Sequence, residues 1–179
     1  MIYIVRHGET AWNHLGKIMG RCDEPLNENG IRQAYEVKEQ IDKINLDLII
    51  SSPLIRAIQT AEIINEDRKL EIIKDERIIE RDYGEFEGQN KNNTDYQDVW
   101  NYNLNKQFEK AENIKVFFDR IYGFLDDIKK KYPDKDILLV CHGGVSMAVE
   151  CYFRHNIPEG HLNGTGLALK NCEVRSYSF

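Results

Sequence analysis

The segment Ile2-Tyr3-Ile4-Val5-Arg6-His7-Gly8-Glu9-Thr10 decides the architecture. Its apolar, β-branched start suits a strand, and it ends abruptly at Arg6-His7-Gly8, where glycine permits a tight turn. Two more runs share this form. Leu46 to Ile50 leads into Ser51-Ser52-Pro53, and Ile137 to Cys141 runs straight into His142-Gly143-Gly144. Short continuous apolar runs that stop at polar or glycine residues fit strands buried on both faces, as in a parallel sheet.

Helical patterns lie between them. Asn27 can cap a helix from Glu28, with Ile31, Ala34, Val37, Ile41 and Ile44 at spacings of three and four. Leu54, Ala57, Ile58, Ala61 and Ile64 keep the same rhythm after Pro53, and Ile114 to Ile128 carries the longest stripe, ending at Lys129-Lys130-Lys131, whose cations suit the negative end of a helix dipole. Gly144 to Phe153 predicts a buried helix, and Leu167 to Lys170 a strand after the turn at Gly164-Thr165-Gly166. Alternating strands and helices imply a layered α/β domain with right-handed crossovers. The polar, Asn-rich stretch from Gln89 to Asn113 is expected to form an insertion or lid, helical from Tyr96 to Phe108.

With 179 residues, 41% hydrophobic and 30% charged, the chain has the size of one globular domain, 1–179. No stretch approaches the roughly 18 to 20 apolar residues of a membrane span, and Arg6, His7 and Glu9 interrupt the N-terminal apolar run too early for a signal peptide. A cytoplasmic location is expected. The net charge of -6 offers no electrostatic reason to expect nucleic acid or a membrane as partner. Cys22, Cys141, Cys151 and Cys172 are widely spaced without a CxxC pair and read as reduced thiols. His14, His155 and His161 have no metal-binding spacing, so no metal is expected.

In an open α/β sheet, ligands bind beyond the carboxyl ends of the strands. That edge should gather Arg6 and His7, Ser51, Ser52 and Arg56, and His142 with Gly143 and Gly144. Arginine forks match phosphate oxygens, and glycine turns entering helices present free N–H groups to the same anion. Neutral imidazole is nucleophilic near pH 7, so either His7 or His142 could attack phosphorus without a metal. Glu80 is the candidate acid for the leaving alkoxide, with Asp82, Glu85 and Glu87 as neighbouring carboxylates. Taken alone, Arg6 and His7 could merely end a strand; His142 placed equivalently after a later strand argues against that. Cys141-His142 does not suit a thiol phosphatase, because Met147 stands where that chemistry needs Arg.

These blocks resemble the histidine phosphatase superfamily, the phosphoglycerate mutase-like proteins. The likeness rests on Arg6-His7-Gly8-Glu9-Thr10 with Trp12-Asn13, Gly20 to Asn27, Ser51-Ser52-Pro53-Leu54-Ile55-Arg56, Glu80 to Gly88, and His142-Gly143-Gly144-Val145, in family order. The resemblance implies a three-layer sandwich with a mostly parallel central sheet flanked by helices. It makes His7 the phosphorylated nucleophile, with Arg6, Arg56 and His142 in the phosphate pocket and Glu80 the proton donor. Asn13, Arg21 and Gly143 become substrate-binding positions. No cofactor is implied, and the partner is a small phosphorylated metabolite. Mutases resemble the chain in these motifs but are longer and carry a Trp-Arg-Arg element, whereas Trp100 here precedes Asn101 and Tyr102. Arg81 matches a mutase-like Glu-Arg pair, and Glu85 to Gly88 the phosphatase version of the block. Hydrolysis of a small phosphomonoester is therefore expected, with phosphoglycerate mutase as the alternative.

Overall fold

The computed structural model describes residues 1–92, 94–157 and 159–178. β1 (Ile2–Arg6) opens the chain. A short α1 (Ala11–His14) follows, started by a reciprocal cap in which Thr10 Oγ1 accepts from the Asn13 N–H and Asn13 Oδ1 accepts from the Thr10 N–H. α2 (Glu28–Ile41) begins where Asn27 Oδ1 accepts the Gly30 N–H at 2.7 Å. β2 (Leu48–Ser51) feeds α3 (Ile55–Ile64) through Pro53, and β3 (Ile72–Lys74) returns to the sheet. α4 (Thr94–Val99), α5 (Ile114–Lys131), β4 (Ile137–Cys141), α6 (Gly143–Arg154) and β5 (Val174–Tyr177) complete the order.

The sheet runs β3-β2-β4-β1-β5. β3, β2, β4 and β1 are mutually parallel, with Ile2 to Arg6 aligned on Ile137 to Cys141, and β5 joins β1 antiparallel. Side chains alternate across a strand, so each strand serves two cores. Val5, Ile49, Leu138 and Val140 pack with Val37 and Ile41 of α2 and Ala57, Ala61 and Ile64 of α3. Ile4, Ile50 and Leu139 face the other way, onto Phe117, Ile121 and Leu125 of α5 and the buried side of α6. This is the three-layer α/β arrangement expected. Because β1, β2 and β4 end side by side, their exits are knitted together: the His7 N–H donates to the Cys141 carbonyl at 3.0 Å and the Ser52 N–H to the Val140 carbonyl at 2.9 Å.

Three local expectations differ. Leu167 to Lys170 forms no strand; Leu167 and Leu169 bury their side chains, and the Leu169 carbonyl accepts from Arg6 Nη1 at 2.9 Å instead of pairing in the sheet. The fifth strand is Val174–Tyr177, which lies on an edge and so shows no continuous apolar run. The helix expected from Tyr96 to Phe108 ends at Val99, where Asn101 Oδ1 takes the Leu104 N–H and Asn105 adopts a φ of 46°, both turn-forming uses of asparagine. Polar as residues 89–113 are, Val99, Trp100, Phe108 and Ala111 are buried. Among the described residues all four cysteines are free, no cluster of three metal-ligating side chains occurs, and no helix is long and apolar enough to cross a membrane.

Candidate active site

The carboxyl edge of β1, β2 and β4 gathers the candidate residues. Arg6 and His7 leave β1, Ser52 follows β2, Arg56 sits in the first turn of α3, and His142 bridges β4 and α6. His7 and His142 are 2% and 0% exposed, with ring centroids 5.2 Å apart and planes tilted by 58°. A cavity of about 360 Å³ opens over them, walled by Arg6, His7, Asn13, Arg56, Glu80 and Gly143 on the sheet side. Its outer wall comes from Lys17, from Lys91, Tyr96, Gln97 and Trp100 of the 89–113 segment, and from Asn163.

Each buried side chain is held by the backbone around it. His7 Nδ1 lies 2.7 Å from the Gly8 carbonyl, which can only accept, so Nδ1 carries the proton and Nε2 keeps its lone pair. Gly8 must be glycine, because a Cβ there would overlap the Gly30 carbonyl. His142 Nε2 lies 2.7 Å from Ser52 Oγ. That oxygen also accepts the Leu54 N–H at 3.4 Å, and among the described residues Nε2 is the one acceptor within reach of the Ser52 hydroxyl proton, which assigns the His142 proton to Nδ1. The Arg56 guanidinium is gripped by two carbonyls, Gly20 from Nη2 and Cys22 from Nη1, each at 2.7 Å. Glu80 Oε2 accepts the Gly144 N–H of α6 at 3.0 Å and Oε1 the Arg81 N–H at 2.9 Å. The Arg6 guanidinium packs over Gly143, and the next residue, Gly144, must be glycine because a Cβ there would overlap Glu80 Oε1 and the Trp100 ring.

Burial, then the Arg56 and Arg6 cations, hold His7 well below the usual imidazole pKa. Burial likewise depresses His142, with Arg56, His7 and Arg6 adding to it. Both rings are therefore neutral at physiological pH. Burial also lowers Arg56, to about 10, and Arg6, and both stay cationic near neutrality. The result is a nucleophilic nitrogen beside two guanidinium groups and a neutral N–H donor. Arg6 Nε, Arg56 Nε and His142 Nδ1 are all buried without a hydrogen-bond partner among the described residues.

Not every expected residue reaches the cavity. Arg21 lies outside its lining: Nη2 pairs with Glu112 at 3.3 Å and Nε donates to the Glu80 carbonyl at 3.3 Å. Arg81 is buried too, but its guanidinium donates to the Glu112 carbonyl at 2.9 Å and to the Val99 carbonyl, and lies over the Trp100 ring. Tyr83 lines the cavity, whereas Phe86 is core. Ser52 as the partner of His142 was not legible, since nothing in Ser51-Ser52-Pro53 marks which hydroxyl turns inward. The contribution of Trp100 had one signal, a lone tryptophan in a polar stretch.

An α/β sheet whose carboxyl edge holds a free imidazole nitrogen, two buried arginines and unpaired N–H donors is chemically suited to phosphoryl transfer. The sequence profile of the histidine phosphatase superfamily (branch 1) matches residues 2–179, and the chain belongs to that family. It is similar to an uncharacterized phosphatase, PhoE, of Bacillus subtilis (strain 168), 40% identical over 150 residues, covering 83% of this chain and 74% of that one. A probable phosphoglycerate mutase, GpmB, of Cronobacter sakazakii is 31% identical over 179 residues, covering 97% of this chain and 82% of that one. Among solved structures, phosphoserine phosphatase of Entamoeba histolytica in complex with 3-phosphoglyceric acid superimposes with a TM-score of 0.81 at 31% identity, over 97% of this chain and 87% of that one. The chain is thus an enzyme of the phosphatase class, within a family that also includes mutases.

Proposed function

We propose that the protein hydrolyses a small phosphomonoester in two steps through a phosphohistidine on His7. The three buried, unpartnered donors around His7 carry this reading. A buried donor left unpaired costs about 1–3 kcal/mol, more when charged, and three held together are explained by an anion that satisfies them on binding. A phosphoryl group presents three equatorial oxygens to Arg6, Arg56 and His142. His7 Nε2 attacks phosphorus; the P–N bond forms as the P–O ester bond breaks, and the leaving alkoxide takes its proton from the Glu80 carboxylic acid. Water then attacks phosphorus, gives a proton to the Glu80 carboxylate, and the P–N bond breaks to restore His7. Gly143 opens the α6 N-terminus to the same anion, and Asn13 faces it from α1. Neutral imidazole needs no metal or organic cofactor for this chemistry.

Lys17, Lys91, Gln97 and Asn163 on the outer wall fit a polar, acidic leaving group, and residues 89–113 serve as its cover. Phosphorylated small acids, of the kind bound by the Entamoeba histolytica relative, suit that wall. Hydrolysis is favoured over mutase chemistry because Arg81, the one mutase-like feature, spends its guanidinium on the Val99 and Glu112 carbonyls and not on the cavity. We also read the enzyme as cytoplasmic, acting on a dissolved metabolite, with neither nucleic acid nor membrane as partner. The test is phosphate release from p-nitrophenyl phosphate in the presence of a chelator, followed by a panel of phosphorylated small acids. His7→Ala should abolish turnover and the acid-labile, base-stable phosphoenzyme. Full activity in that variant would sink the mechanism.

A further inference from the structure

The carboxylates after Glu80 are not equivalent. Glu85 is exposed and Asp82 caps a local turn through the Gly84 N–H, but Glu87 folds back into the 20–22 loop. Glu87 Oε1 accepts the Arg21 N–H at 2.9 Å and the Tyr83 N–H at 3.2 Å. Its Oε2 accepts the Cys22 N–H at 3.2 Å and the Cys22 thiol at 3.1 Å. One carboxylate therefore collects three backbone donors and a thiol, a nest around a fixed negative charge. Gly20 makes the approach possible: its φ is 53°, and a Cβ there would overlap Glu87 Oε1.

The carbonyls of this same loop, Gly20 and Cys22, are the ones that grip the Arg56 Nη atoms at 2.7 Å. With Nη1 and Nη2 held there, the guanidinium plane is set and Arg56 Nε is left buried without a partner. Cys22 is bound through both its N–H and its carbonyl, so a shift of one face of the loop moves the other. Burial and the bond to Glu87 push the Cys22 thiol up to about 11, which keeps it protonated as a donor.

We propose that Glu87 is a positioning residue for phosphoryl transfer, aiming the Arg56 guanidinium through the Gly20–Cys22 loop without itself touching substrate. The proposal rests on Arg56 binding the phosphoryl group. A displacement of about 1 Å in a group that stabilises the transition state costs on the order of a hundredfold, so a partial loss of aim should cost at least about tenfold. Glu87→Gln keeps the shape but turns an NH₂ group toward backbone N–H donors.

The decisive measurement is a double-mutant cycle of Glu87→Gln and Arg56→Ala, read as kcat/KM for p-nitrophenyl phosphate and as inhibition by vanadate. Alone, Glu87→Gln should lower kcat/KM and weaken vanadate at least about tenfold. In the Arg56→Ala background it should change both by less than about twofold, because the group it aims is gone. Equal losses in both backgrounds, or no loss in the first, overturn the role of Glu87 while leaving the phosphate pocket intact. Unchanged vanadate affinity in Arg56→Ala alone overturns the pocket itself, and the positioning role with it. Should Glu87→Gln fail to fold, Glu87→Asp, which keeps the charge but withdraws it by one methylene, carries the same cycle with the same outcomes.

Discussion

Removing the Ser52 hydroxyl tests whether the tautomer of a buried histidine is set by one neighbour. In the native protein the Ser52 O–H donates to His142 Nε2 at 2.7 Å, which leaves the ring proton on Nδ1, the buried and unpartnered nitrogen. In Ser52→Ala nothing biases the proton toward Nδ1, and Nε2 is left buried without its donor. Only the fraction of rings with the proton on Nδ1 can then donate to the phosphoryl group, so kcat/KM should fall by the inverse of that fraction, on the order of 2- to 10-fold for a mixture. Vanadate should weaken by a similar factor. Nitrogen-15 shifts of the imidazole rings read the cause directly: in the native protein both His7 and His142 should carry the proton on Nδ1, and in Ser52→Ala His142 should become a mixture while His7 is unchanged. The reasoning fails if His142 already carries its proton on Nε2 in the native protein, or if Ser52→Ala keeps native kcat/KM and vanadate affinity.

Two further predictions follow from the same geometry. Glu80→Gln should lower turnover of an alkyl phosphate by about 10² to 10⁴, the usual contribution of a general acid, but that of p-nitrophenyl phosphate far less, because nitrophenolate leaves without help; equal losses on both substrates would remove Glu80 from the proton-transfer step. Stability should fall as the pH drops from about 6.5 toward 5, because His7 and His142 are held neutral when folded yet take up protons when unfolded. Two such groups give a slope approaching about 2.7 kcal/mol per pH unit, above the range where carboxylates titrate. Denaturant unfolding in phosphate-free buffer measures it, and a pH-independent stability across that window would contradict the burial of the two neutral rings.

Much of the framework could be read in the chain itself. The runs at residues 2–5 and 137–141 are continuously apolar and end in Arg6-His7 and His142-Gly143, so strand identity followed from the runs, and the gathering of the candidate residues at the carboxyl edge from the side on which open α/β sheets bind ligands. The parallel order became visible only on folding, because which strands become neighbours depends on contacts between residues more than 130 positions apart, such as Ile2 with Ile137. Edge elements escaped for the opposite reason: Ile72–Lys74 and Val174–Tyr177 bury little and so carry no strong apolar signature.

The chemical alphabet of the site was likewise present in the sequence: two histidines, two arginines and a carboxylate on successive loops. Tertiary structure decided which atoms of them are available. Arg21 and Arg81 have the right side chains, but their guanidinium groups are taken up by Glu112 and by the carbonyls of Glu80, Glu112 and Val99. Arg6, Arg56 and His142 each keep one buried N–H unpaired, and His7 keeps its Nε2. Residue type supplies the number of donors a side chain owns, whereas the number left for a ligand depends on which backbone groups the fold has already brought against it. The order of residue types along the chain therefore pointed to a phosphate site, and packing determined which of their N–H groups and ring nitrogens are left free.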